Sequence, residues 1–168
     1  MATPIDVEPR NTLEVVIGRV IDAPRSAVWR CWTEEALLKQ WYCPKPWSVP
    51  EAEFDLRPGG RFNTVFLGPD GERMENEGIW LEIVSEERLT FTDFYTEGFV
   101  PQGEGFMTGF VELSDMPDGK TRLVWGARHR NAEAVQRHLD MGMLDGWNIC
   151  VEQLEETAKS IASARLTA

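Results

Sequence analysis

Between Val135 and Ile161, apolar residues recur at Val135, Leu139, Met143, Trp147, Val151, Leu154, Ala158 and Ile161. Each step is three or four residues, so the set forms one stripe along a long helix. A stripe of that length must be covered by something apolar. Asn131 stands where an N-terminal cap is expected, which starts the helix near Ala132 and carries it to about Ser163. Gly142 and Gly146 weaken it near its start, and a bend or break is expected there.

What precedes the helix reads as strands. Leu13 to Ile21 is rich in β-branched residues and predicts the first. Pro24 suits the first turn of a helix that continues from Ser26 to Trp32, with Val28 and Trp32 on one face. Thr33, followed by Glu34 and Glu35, predicts the cap of a second short helix, which the Cys43-Pro44-Lys45-Pro46 segment ends. Then the period changes to two. Trp47–Leu56 places Ala52, Phe54 and Leu56 on one face, and Arg61–Leu67 places Phe62, Thr64 and Phe66 on one face. Glu72–Val84, Arg88–Tyr95, Gly103–Leu113 and Thr121–Arg130 complete seven predicted strands. Turn signals stand at Arg57–Gly60, Pro69–Gly71 and Asp115–Gly119, and Thr96–Gly105 reads as a longer loop. Short connections favour an antiparallel meander. The expected fold class is therefore α+β, in the order β-α-α-β6-α, with a curved antiparallel sheet wrapped around the C-terminal helix. Residues 1–11 read as a flexible leader and residues 12–164 as a single domain.

The formal charge is −11, and no Lys/Arg cluster offsets it locally. Such a chain repels phosphate backbones and anionic lipid, so neither nucleic acid nor a membrane surface is an expected partner. No apolar run approaches the roughly 20 residues of a membrane helix, and Met1–Asn11 lacks the apolar core of a signal peptide. A cytoplasmic location is expected. Cys31, Cys43 and Cys150 are an odd number at wide spacing and read as free thiols. Two histidines and no paired cysteines offer little to zinc. No phosphate loop, metal-ligand spacing or nucleophile motif is present, and no cofactor is expected.

Seven tryptophans and eight phenylalanines are the unusual part of the composition. Large rings fill cores and line ligand pockets alike. The candidate ligand-facing residues are Trp41 and Trp47 beside the proline loop, and Phe54, Phe62, Phe66, Trp80, Phe91 and Phe106 on or after the strands. Alternation in the last strand puts Leu123, Trp125, Ala127 and His129 on one face, opposite Arg122, Val124 and Arg128. If that face meets the helix, Trp125 and His129 face Met143, Trp147 and Val151. The tryptophans read equally as core or as pocket wall. His129 is the one acid–base candidate, against a reading in which it sits at the surface or bonds a loop. His138 falls on the polar side of the helix and reads as solvated. Arg19 and Asp93 could form an inward polar pair that orients a ligand, or be surface charges, and Glu82 carries the same ambiguity. Phe99–Phe106 is a candidate gate.

Several phrases, in order, resemble the START-related (SRPBCC, helix-grip) superfamily, and within it the branch of the activator of the heat-shock-protein-90 ATPase. They are Ile21-Asp-Ala-Pro24, Leu38-Lys-Gln-Trp41, Asp55-Leu-Arg-Pro-Gly-Gly-Arg-Phe62, Gly78-Ile-Trp-Leu-Glu-Ile83, Glu87-Arg-Leu-Thr-Phe-Thr92 and Gly146-Trp147. The resemblance implies a seven-stranded sheet and a deep cavity beside the last helix. It implies a carrier or sensor of a small hydrophobic or aromatic molecule, with a cyclase- or hydrolase-like enzyme using His129 as the alternative. It also admits a homodimer and a chaperone contact. The chaperone activator itself carries an additional N-terminal domain for which this chain has no room, and this weighs against chaperone activation.

Overall fold

The computed structural model describes residues 1–166. In chain order the elements are β1 (Thr3–Ile5), β2 (Glu14–Ile21), α1 (Arg25–Thr33), α2 (Glu35–Leu38), β3 (Ser48–Phe54) and β4 (Phe62–Leu67). There follow β5 (Arg73–Asn76), β6 (Ile79–Val84), β7 (Arg88–Thr92), β8 (Tyr95–Thr96) and β9 (Val100–Pro101). The chain ends with β10 (Thr108–Asp115), β11 (Thr121–Arg128), α3 (Ala132–Asp140) and α4 (Met143–Leu166).

The strands form an antiparallel sheet in the order β1-β2-β11-β10-β7-β6, and a second in the order β3-β4-β5. The two are joined, because β5 and β6 are the halves of one bent strand. Its bend is at Glu77-Gly78, where a Cβ on Gly78 would stand 2.6 Å from the Thr92 carbonyl oxygen. Beside the bend the Phe62 N–H donates to the Gly78 carbonyl at 2.9 Å, the Trp80 N–H donates to the Gly60 carbonyl at 3.0 Å, and Arg61 bridges Ile79. The seven expected strands are thus present along one curved surface, and α4 lies across its inner face.

Four local expectations are corrected. Residues 1–11 do not form a loose leader throughout, since β1 pairs with β2 and Ala2 is buried. Gly18 permits this docking: a Cβ there would lie 2.3 Å from Val7 Cγ2 and 2.8 Å from Ile5 Cγ1. Thr33 does not cap α2. Its hydroxyl donates back to the Trp29 carbonyl at 2.9 Å and so belongs to the last turn of α1. Leu56 lies beyond the end of β3 and is exposed. Thr96–Gly105 contains the small β8–β9 hairpin, and β10 begins at Thr108 rather than Gly103. The break expected near the start of the C-terminal helix is present, between α3 and α4. Asn131 caps α3 by accepting the Ala134 N–H at 2.8 Å, and the chain turns at Gly142, whose φ of 78° suits glycine. Gly146 lies inside α4 without breaking it.

The core is built on aromatic edges. Trp32 packs edge-on against Trp41 and Trp125, with ring centroids 4.6 and 5.3 Å apart. Such contacts add to the apolar area that the rings already bury. Val28, Leu38, Leu89, Leu123 and Leu154 are fully buried around them.

Candidate functional site

Where the bent strand diverges from α4 the core is hollow, with a cavity of about 380 Å³. Phe62, Thr64 and Phe66 of β4 form one wall, as their shared strand face requires. Phe91 and Asp93 line it from and just after β7, and Phe106 and Met107 from the loop before β10. Met143, Trp147 and Cys150 close it from α4. Met74, Glu77, Met141 and Gly142 line its rim.

One wall of the site carries a tryptophan stack. Trp125 of β11 and Trp147 of α4 lie with centroids 4.1 Å apart and planes 3° apart. Tyr42 also stacks against Trp125, at 6.1 Å and 26°. Its position is set by Gln153 on α4, whose amide donates to the Trp41 and Cys43 carbonyls at 2.9 Å each and accepts the Lys45 N–H at 3.1 Å. The proline loop is thereby tied to the helix. The Trp125 indole N–H is buried and has no hydrogen-bond partner among the described residues.

Burial dominates the titration of the lining groups. It raises the Tyr42 phenol well above its usual range and pushes the Cys150 thiol up to about 12. Cys31 and Cys43 rise likewise, to about 12 and about 11. All three cysteines are free, and a protonated thiol is a poor nucleophile. Among the described residues no cluster of three or more His, Cys, Asp or Glu is arranged to hold a metal.

The two histidines meet. His129 Nδ1 lies 3.0 Å from the Phe106 carbonyl oxygen, and His129 Nε2 lies 2.9 Å from His138 Nδ1. A carbonyl only accepts, so in the neutral pair Nδ1 of His129 carries its proton and Nε2 accepts from the Nδ1–H of His138. That order leaves Nε2 of His138 as an acceptor with no hydrogen bond among the described residues. Burial, and then the nearby His129, push His138 down to about 4. The expectation of a solvated His138 is therefore corrected: it is buried, lines the cavity and stands edge-on to Trp147 at 5.5 Å. The helix break explains the difference, because a continuous helical wheel assigns α3 the wrong face. His129 is buried behind it and does not line the cavity.

Of the other candidate residues, Phe62, Phe66, Phe91, Phe106, Trp125, Met143 and Trp147 line the cavity. Trp41, Trp80 and Val151 are fully buried in the core instead, while Phe54 packs against Phe62 and Trp80 without reaching the cavity. Trp47 is half-buried and stands outside it. Arg19 and Asp93 do not form the expected pair. Arg19 donates to the Gly18 carbonyl and the Asn148 side chain, whereas Asp93 Oδ1 accepts the Phe106 and Met107 N–H groups at 2.8 and 3.0 Å. Glu82 takes two hydrogen bonds from the Arg88 guanidinium, both at 2.8 Å, on the outer surface. Tyr42, which with Trp41 and Trp47 flanks the proline loop, lines the cavity, whereas Thr64, Cys150 and His138 were not among the expected site residues. Thr64 had a usable signal in its position between Phe62 and Phe66.

Among the described residues no helix is long and apolar enough to cross a membrane. The family described as Activator of Hsp90 ATPase homolog 1-like protein matches residues 22–159. Protein NE0264 from Nitrosomonas europaea is 36% identical, with 92% of this chain and 99% of that chain covered and a TM-score of 0.88. Protein Ms6760 from Mycobacterium smegmatis is 26% identical, with 94% and 99% covered and a TM-score of 0.77. A protein from Arthrobacter aurescens, 22% identical over 92% of this chain and 90% of its own, shares the fold at a TM-score of 0.78. No curated protein matches. A match over residues 22–159, together with a 36% identical structure spanning nearly both chains, places this chain in the Activator of Hsp90 ATPase homolog 1-like family.

Proposed function

We propose that this protein binds a small hydrophobic or aromatic molecule in the cavity beside α4 and acts as a carrier or sensor. The observation that carries the reading is the cavity itself: about 380 Å³, walled by rings, with a stacked tryptophan pair on one side. That volume lies in the range of small-molecule sites, which are mostly apolar with a few fixed polar groups. Asp93, Thr64 and His138 supply those groups here. The enzyme reading through His129 has less support, because both ring nitrogens of His129 are engaged and the Cys150 thiol is held protonated.

Native mass spectrometry of the protein purified from its own cells tests the reading. A retained small molecule, lost on Trp147→Ala substitution, is the expected result. A protein that carries nothing and whose tryptophan fluorescence is unmoved by a panel of hydrophobic compounds overturns it. Co-purification with the heat-shock chaperone in place of a small molecule would favour a surface role instead.

A further inference from the structure

The polar groups of the cavity restrict the charge of its occupant, a point that rests on the ligand-binding reading above. Among the described lining residues the charged ones are Asp93 and Glu77, and none is lysine or arginine. Arg137 stacks over the Phe106 ring at 5.4 Å but is not one of the lining residues. The Oδ1 atom of Asp93 is held by two backbone N–H groups, which fixes the carboxylate. Its Oδ2 atom has no hydrogen bond or ion pair among the described residues. Nε2 of His138 adds a neutral acceptor.

Some donors in the wall are already spent. The Asn76 amide donates to Thr64 Oγ1 and the Met74 carbonyl, and the Thr92 hydroxyl donates to the Met107 carbonyl. Those left over, such as the Trp125 indole N–H, are uncharged. An anion brought into this site would lose its water and gain no cation in exchange, which is costly. A cation would meet a fixed carboxylate in a wall rich in aromatic rings, and ring faces attract positive charge.

We propose that the cavity takes a ring-bearing molecule whose polar end is an ammonium or similar cation, docked at Oδ2 of Asp93, and discriminates against the corresponding carboxylate. The test uses the full chain at pH 7 with phenyl, naphthyl and biphenyl probes, each as the methylammonium, the hydroxymethyl and the carboxylate compound. Titration calorimetry reads the affinities. On any ring that binds, the ammonium compound is expected to bind at least about tenfold more tightly than the carboxylate. Asp93→Asn keeps an oxygen for the Phe106 and Met107 N–H groups while removing the charge, and it should shrink that gap several-fold. Thermal melting checks that the variant is folded, and the wild-type series stands without it.

If the alcohols bind and the carboxylates equal or exceed the ammonium compounds, the charge preference is overturned and the ligand-binding reading survives. If none of the probes binds, both fall. A gap unchanged by Asp93→Asn in a folded variant overturns the docking role of Asp93.

Discussion

Trp125 and Trp147 lie face to face at 4.1 Å, one contributed by the last strand and the other by the last helix. The stack joins the sheet to the helix that the sheet grips, and it does so at the cavity wall. Trp125 reaches back from the stack into the packed core through Trp32 and Trp41, whereas Trp147 is only partly buried. Both rings line the cavity, but they divide in burial, Trp125 being tied into the packed core and Trp147 the more exposed of the two.

Truncating the tryptophans should reveal that division. Trp32→Ala removes a fully buried ring and is expected to cost about 3–5 kcal/mol. Trp147→Ala enlarges an existing cavity and should cost less, about 1–3 kcal/mol. Urea unfolding of both variants measures the difference, and equal losses would make Trp147 an ordinary core residue.

Gln153 should behave as a buried clamp. Gln153→Leu leaves the Trp41 and Cys43 carbonyls and the Lys45 N–H without their partner, at a cost of about 2–3 kcal/mol. Because Tyr42 and Pro44 lie between those anchors and line the cavity, amide exchange should rise across residues 41–45 before the protein unfolds globally. Exchange unchanged in that segment would refute the clamp.

The two glycines of the C-terminal region should respond in opposite directions to alanine. Gly142 has a φ of 78°, and a Cβ there would meet nothing within 4 Å, so Gly142→Ala is penalised by backbone strain alone, by about 1 kcal/mol. Gly146 is helical, and its Cβ would sit 3.6 Å from Pro44 Cγ, an ordinary contact. Gly146→Ala should stabilise by roughly 0.5–1 kcal/mol. Thermal melting of the pair settles the sign of each.

Acid should weaken the fold through His138. Its folded pKa lies near 4, below the ordinary value of 6.5, so the unfolded chain takes up the proton first as pH falls. Stability is fully present above about pH 6.5 and declines through the window down to about 4, below which the loss is complete. After discounting for the part of the ring that solvent reaches, the loss is on the order of 2 kcal/mol. Subtracting the pH profile of His138→Gln isolates this contribution from that of Asp22 and Glu82, which Lys159 and Arg88 hold below the usual carboxylate range. A wild-type profile that coincides with the variant between pH 6.5 and 4 would contradict it.

Periodicity made the large features legible. The face shared by Phe62, Thr64 and Phe66, and the one shared by Leu123, Trp125 and Ala127, follow from alternation alone and point inward as expected. Alternation does not say which inward rings border empty space. Trp80 and Phe91 are both inward and buried, yet only Phe91 reaches the cavity, because that depends on where β5 and β6 part from the helix. His138 was hidden for another reason. A turn at one left-handed glycine rotates α3 relative to α4, and no helical wheel drawn through both elements can register that rotation.

The two outer strands of the sheet carry one more consequence. On one side the last strand is β1, three residues long, with Pro4 opposite Arg19. On the other it is β3, which contains Pro50 and the outward acids Glu51 and Glu53. Each border carries a proline, which has no N–H to offer a neighbouring chain. A sheet this rich in β-branched and aromatic residues thus carries, at both margins, a residue that opposes edge-to-edge pairing with another copy.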